Sequence, residues 1–96
     1  MCTSIVEVVG ASGAGKTGDG WIELTHSVVS YDHPHHAVLE EAITIDFVNA
    51  ALDPSARVAV ELTLESAKEL SGALLRAIAA AEIEESERLS RVPARR

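Results

Sequence analysis

The spacing of apolar residues changes once along the chain, and this change constrains the fold more than any other feature. Before position 63, apolar and polar residues alternate, as at Ile43, Ile45 and Phe47. A period of two is typical of a half-buried strand. From Leu64 onward, apolar residues recur every three or four positions, which is typical of an amphipathic helix. The chain is therefore predicted to place its strands first and one helix last, as an α+β fold.

Four segments have strand patterns, and turn residues separate them. They are residues 2–9, 21–31, 39–48 and 57–62. Short connections after the second and third segments favour antiparallel pairing. We predict a four-stranded antiparallel sheet in the order β-β-β-β-α, with the C-terminal helix packed on one face. Residues 1–82 would form a single domain, and residues 83–96 a charged helix extension and a flexible basic tail.

The register of the second and third strands can be predicted from burial. A tight hairpin around His35 and His36 makes the numbers of facing residues sum to about 71 or 72. Only the odd sum brings the apolar residues of both strands to one face, because a slip of one residue turns a strand over. We therefore expect His26 to face Ile45 on the apolar face, and Asp46 to lie on the outer face.

Residues 10–17, GASGAGKT, match the phosphate-loop pattern G-x-x-x-x-G-K-[ST]. A working phosphate loop leads into a helix whose N-terminus holds the phosphates. Here Gly18, Asp19 and Gly20 follow, and then a strand pattern. We therefore expect no nucleotide and no nucleotide hydrolysis. The segment is interpreted as a flexible loop between the first two strands, which carries Lys16 and could act as a lid.

Residues 31–36, YDHPHH, contain three of the four histidines, and we call them the histidine turn. Imidazole and carboxylate groups are ligands of transition metals such as zinc, iron or copper. The leading hypothesis is a metal site formed by Asp32, His33, His35 and His36, with its structural or catalytic role left open. The spacing matches no established zinc motif. A solvated hairpin tip and a pH-sensitive histidine cluster are the alternatives.

Two further functions remain open. One is an interaction module that forms a homo-oligomer, most simply a dimer, through the outer sheet face. That face would consist of Thr25, Ser27, Val29, Tyr31, Thr44 and Asp46. The other is a small-molecule-binding protein or enzyme with the glycine-rich loop as a lid. Its ligand-binding candidates are Lys16, His26, Tyr31 and Asp46, and no residue is assigned a catalytic role.

Composition excludes some classes of function. The net charge of −7 argues against nucleic-acid binding. Four basic residues lie in the last nine positions: Arg88, Arg91, Arg95 and Arg96.

One cysteine, Cys2, cannot form an internal disulfide. Without a secretory signal or a long apolar run, we expect a cytoplasmic protein that does not bind membranes. Three aromatic residues imply a thin core, which favours dimerisation.

Several segments together carry a resemblance: MCTSI at the start, GK followed by GW, YDHP, ITIDF, and RVAVEL before an alanine-rich helix. With these segments the chain resembles a family of short, uncharacterised bacterial proteins. The resemblance covers residues 1 to about 80. It implies a shared compact domain in which the histidine turn and the glycine-rich segment belong to one fold. It brings no established activity and no catalytic residue.

Overall fold

The computed structural model describes residues 5–91. Its elements are β1 (Ile5–Thr17), β2 (Gly20–Asp32), β3 (Ala42–Val48), β4 (Arg57–Leu62) and α1 (Leu64–Arg91). The strands form one antiparallel sheet in the order β1-β2-β3-β4. The predicted α+β fold, with four strands and then one helix, is therefore confirmed.

The chain divides after Leu64 into two compact units, the sheet and the helix, and each is described by itself. The 28-residue helix has Glu65 in its first turn and Arg88 and Arg91 in its last, which complements the helix dipole. No described helix is long and apolar enough to span a membrane. The packing of the helix on the sheet and the domain limit at residue 82 stay predictions. Arg95 and Arg96 lie outside the described residues.

The glycine-rich segment is a strand, so the prediction of a flexible loop there was wrong. Residues 10–17 continue β1 and pair with β2 as far as Thr17 and Gly20. The turn contains only Gly18 and Asp19, and the Thr17 hydroxyl donates to the Gly20 carbonyl at 2.9 Å. In an antiparallel strand pair, the backbone N–H and C=O groups of glycine form hydrogen bonds as those of any other residue do. This pairing outweighs the low strand propensity of glycine. The prediction that no helix follows Lys16 is confirmed, since β2 begins at Gly20.

The register of β2 and β3 differs from the predicted one. His26 pairs with Val48 and Val28 pairs with Asp46, so facing residues sum to 74. The prediction failed because the connection is the nine-residue segment 33–41, not a tight turn. We call this segment the β2–β3 loop. Its length moves the register by three, which places His26 on the same face as Asp46 and opposite to Ile45.

The pairing defines two faces of the sheet. The apolar face carries Ile5, Glu7, Val9, Ser27, Val29, Tyr31, Ile43, Ile45, Phe47, Val58, Val60 and Leu62. The polar face carries His26, Val28, Ser30, Asp32, Ala42, Thr44, Asp46, Val48, Arg57, Ala59 and Glu61, with Val6, Val8 and Gly10 of β1. The outer face expected from sequence is therefore divided, because Thr44 and Asp46 lie opposite to Ser27, Val29 and Tyr31.

The sheet curls at the end where β1 meets its turn. A Cβ atom placed on Gly15 would lie 2.9 Å from Cγ2 of Val58 and 3.3 Å from Cδ2 of Leu24. Gly15 belongs to β1 and Val58 to β4, the two outer strands of the sheet. Glycine at this position therefore permits the two outer strands to approach each other. Within residues 5–91, only Ala42 and Ser27 are buried, so the core is thin.

Candidate ligand-binding cleft

Glu61 on β4 holds the β2–β3 loop over the polar face. Its Oε2 accepts the backbone N–H of His35 at 2.6 Å. Its Oε1 accepts the backbone N–H groups of His36 and Ala37 at 2.9 and 2.8 Å. Hydrogen bonds to an ionised carboxylate are stronger than those between neutral groups. One side chain therefore fixes three consecutive residues of a loop that has no regular secondary structure.

These hydrogen bonds also set the ionisation of Glu61. The N–H groups of Ala37 and His35 lower the pKa of the Glu61 carboxyl below its ordinary value of 4.5, against a smaller opposing effect of burial. The reason is that N–H donors stabilise the charged form. Glu61 is therefore ionised at neutral pH and keeps all three backbone donors.

His33 ties the two ends of the loop together. Its backbone N–H donates to Oδ1 of Asp32 at 2.7 Å. Its Nδ1 lies 3.0 Å from the Glu40 carbonyl oxygen and 3.1 Å from Oε2 of Glu41. Both partners are acceptors, so Nδ1 carries the proton. The Glu40 carbonyl, and next the charge of Glu41, raise the pKa of His33 above its ordinary value of 6.5.

A cavity of about 610 Å³ lies between the loop and the sheet. We call it the cleft. Its volume lies in the range of small-molecule sites, roughly 300–1,000 Å³. The cleft is lined by Ser30, Asp32, Thr44, Asp46, Arg57, Ala59, Val60 and Glu61 from the sheet, and by His33, His35, His36 and Ala37 from the loop.

The floor of the cleft offers several kinds of polar group. The hydroxyls of Ser30 and Thr44 are hydrogen-bonded to each other. Nη1 of Arg57 lies 4.0 Å from Oδ2 of Asp46, and their side chains are 47% and 28% exposed. An exposed ion pair this long contributes little to stability. Its guanidinium and carboxylate are therefore available to a ligand, beside two hydroxyls that can each donate or accept.

A family model described as a family of unknown function, DUF6295, matches residues 1–87. The chain belongs to the DUF6295 family. The match includes all four strands and every residue that lines the cleft. No curated protein and no solved structure is detectably similar to the chain. A function for this DUF6295 chain must therefore be argued from the geometry of the cleft.

The residues predicted to bind a metal in this DUF6295 chain all border the cleft. They are Asp32, His33, His35 and His36. Within residues 5–91, however, no three or more His, Cys, Asp or Glu side chains are grouped so as to hold a metal ion. Glu61 holds His35 and His36 through their backbone N–H groups, whereas the His33 imidazole contacts Glu40 and Glu41. Cys2, the one cysteine of the sequence, lies outside the described residues.

The four residues predicted to bind a ligand do not form one site. Asp46 borders the cleft. His26 shares its face but lies at the middle of β2, outside the residues that line the cleft, and its Nδ1 is 2.8 Å from Oγ1 of Thr25. Lys16 lies in the β1–β2 hairpin, and Tyr31 is on the opposite face of the sheet. Of the four, only Asp46 therefore lies at the cleft.

Four residues that line the cleft were not among the predicted ligand-binding residues, although Thr44 was expected on the outer face: Ser30, Thr44, Arg57 and Glu61. One signal for them was present, since Arg57 and Glu61 are four positions apart in an alternating strand and so share a face. The predicted register, however, did not place these residues next to one another. With the observed register, Thr44 pairs with Ser30 on one side and with Glu61 on the other, so the groups meet on one face.

Proposed function

We propose that this chain is a small-molecule-binding domain whose site is the cleft. The observation that supports it most is the way Glu61 binds three backbone N–H groups of the β2–β3 loop. Ordering a loop costs conformational entropy. A loop that is fixed over a polar surface, with a cavity beneath it, is a preorganised binding site.

The groups on the floor of the cleft indicate the class of ligand. Arg57 donates and suits a carboxylate or another anionic oxygen. Asp46 accepts and suits an amino or hydroxyl group. Because these two charges lie side by side, the cleft fits a small polar molecule that carries an acceptor and a donor close together. The hydroxyls of Ser30 and Thr44 add hydrogen bonds that fix its orientation.

Metal binding by the loop is the second candidate. It is favoured by the 3.1 Å contact between His33 Nδ1 and Glu41 Oε2, because a metal-binding histidine commonly donates one ring N–H to a carboxylate and binds the metal through the other ring nitrogen, here Nε2. One imidazole is fewer than the three or four protein ligands usual for zinc. Further ligands would have to come from a second copy or from the bound molecule. Metal found by elemental analysis of untagged protein, and lost in the His33→Ala variant, would support this candidate.

A thermal-shift screen of small polar compounds tests the main proposal on untagged protein. A ligand at one hundred times its Kd stabilises the folded protein by about 2.7 kcal/mol. For a domain of this size, that raises Tm by about 10–20 °C. We expect Arg57→Ala and Asp46→Asn to abolish the shift. Arg76→Ala, which removes an arginine from the helix, is the matched control and should keep it.

Two results would count against ligand binding in the cleft. One is a screen in which no polar compound raises Tm. The other is a compound whose shift persists in both Arg57→Ala and Asp46→Asn, because it would then bind elsewhere on the protein.

A further inference from the structure

Large apolar side chains lie exposed along one side of α1. The helix spans 28 residues, and none of them is buried. Apolar residues at positions 64, 67, 70, 74 and 78 are three or four positions apart, so they share one side of the helix. The large side chains on this side are between 45% and 65% exposed: Leu64, Leu70, Leu74, Ile78 and the neighbouring Leu75. Because such a helix is stabilised mainly by packing its apolar side on another surface, this side requires a partner.

The apolar side of α1 has the spacing of a seam between two helices. The seam positions of paired helices alternate at intervals of four and three residues. Ala67, Ser71, Leu74, Ile78 and Ala81 follow that spacing. The large side chains lie in the middle of this seam and small ones lie at both ends. The seam therefore has the same order of side-chain sizes in both directions, which suits antiparallel pairing with a copy of itself.

Charged residues lie beside the seam on one flank of the helix. Lys68 and Glu82 each lie seven positions from Leu75, so the three residues share this flank. Positions that flank a seam set the partner and the orientation of paired helices. This flank carries a positive charge at one end and a negative charge at the other. It therefore complements itself when two copies of the helix run in opposite directions.

We propose that α1 pairs antiparallel with α1 of a second copy of the chain, with Leu74 of each copy opposite the partner's Ile78. In this register Lys68 of each copy lies opposite the partner's Glu82. The two copies of Leu75 lie opposite each other between these ion pairs. A two-fold axis repeats every contact. The interface then has large apolar side chains at its centre and an ion pair at each end.

The position of Glu85 favours antiparallel over parallel pairing. Glu85 continues the seam four positions after Ala81, and its Oε1 accepts from Nη2 of Arg88 at 2.7 Å. In a parallel pair the two copies of Glu85 would face each other across the seam, and such opposed like charges disfavour a pairing. Antiparallel pairing places Glu85 opposite the partner's Ala67 instead, at the end of the interface, where its ion pair with Arg88 stays in water.

A second copy suits this surface better than an unrelated partner does. It supplies both an acidic group opposite Lys68 and a basic group opposite Glu82. It also supplies apolar surface that the chain lacks, since within residues 5–91 only Ala42 and Ser27 are buried. Exposed ion pairs contribute little affinity. The apolar contacts therefore supply the affinity, and the charges select the alignment.

Charge reversal tests this register. In Lys68→Glu and in Glu82→Lys, symmetry converts two attractive pairs into two repulsive ones. We expect each single variant to weaken the dimer about tenfold by sedimentation velocity. The double variant Lys68→Glu with Glu82→Lys restores both pairs and should dimerise nearly as well as the wild type. Arg76→Glu and Glu87→Lys make the same changes of charge on the opposite side of the helix and should leave dimerisation unchanged.

A wild-type chain that is monomeric at micromolar concentration overturns the proposal, and the packing of the helix on the sheet that the sequence predicts then becomes the alternative. A dimer that the single reversals leave intact also overturns it, as does one that the double variant fails to restore. No residue of α1 lines the cleft. Ligand binding in the single-reversal variants therefore separates a failure of this interface from a failure of the proposed function.

Discussion

Glu61 accepts the backbone N–H of His35 at 2.6 Å across 26 positions of the chain. This contact joins β4 to the β2–β3 loop and holds the loop over the polar face, so that a cleft lies between the loop and the sheet. Because one side chain carries the contact and its two companions, the closed loop depends on the chemistry of that side chain.

The Glu61→Gln variant should loosen the β2–β3 loop. A glutamine amide has one acceptor oxygen and one NH₂ donor, so it cannot accept from both sides as the carboxylate does. We expect amide hydrogen exchange at His35, His36 and Ala37 to speed up about tenfold or more, since local opening exposes these groups. Glu84→Gln, on the helix, is the matched control. Unchanged exchange at the three amides would show that Glu61 does not hold the loop.

The β2–β3 loop should also lose stabilising contacts at both low and high pH. The pKa of Glu61 is lowered, so its contribution is present above 4.5 and is lost as pH falls through the lowered pKa. The pKa of His33 is raised, so its contribution is complete below 6.5 and is lost as pH rises through the raised pKa. Both contributions are complete between pH 4.5 and 6.5.

Nuclear magnetic resonance shifts of the loop amides can follow both transitions. Glu61→Gln should remove the acid transition and leave the alkaline one, and His33→Asn should do the reverse. If Glu61→Gln keeps the acid transition, another group controls the loop at low pH.

A pair of glycine substitutions tests the curl of the sheet. Gly15→Ala would place a methyl group 2.9 Å from Val58 Cγ2, and we expect a loss of about 1–3 kcal/mol in the free energy of unfolding. Gly10→Ala, in the same strand, meets no atom within 4 Å and should have a neutral or stabilising effect. Denaturant unfolding measures both variants. Equal losses in the two would mean that β1 does not approach β4 at Gly15.

The sequence predicted those features that depend on local periodicity. The alternation through Val58, Val60 and Leu62 and the helical spacing after Leu64 each follow from the geometry of one element, and both were confirmed. The register of β2 and β3 depends instead on the length of their connection, which no local pattern fixes. Burial of apolar side chains favoured the wrong sum, because the loop beyond Asp32 is longer than a tight turn.

Prediction of the cleft was limited for the same reason. The residue types in the histidine turn suggested that this segment bears on function, and the segment does form one wall of the cleft. The contacts of Glu61 with that wall span 24 to 26 positions, so they appear only when the strands are in register. The glycine-rich segment was misjudged because pairing with β2 overrides the weak strand preference of glycine.

Mapping a bound ligand by nuclear magnetic resonance tests the central claim most directly. A compound selected by thermal shift is titrated into ¹⁵N-labelled, untagged protein, and amide shift changes are compared along the chain. We predict the largest changes at Ser30, Ala37 and Thr44, around the cleft, and small changes in the β1 segment from Val6 to Val9. Changes concentrated in β1 or in the helix, with the cleft amides unmoved, would contradict the assignment of the cleft as the binding site.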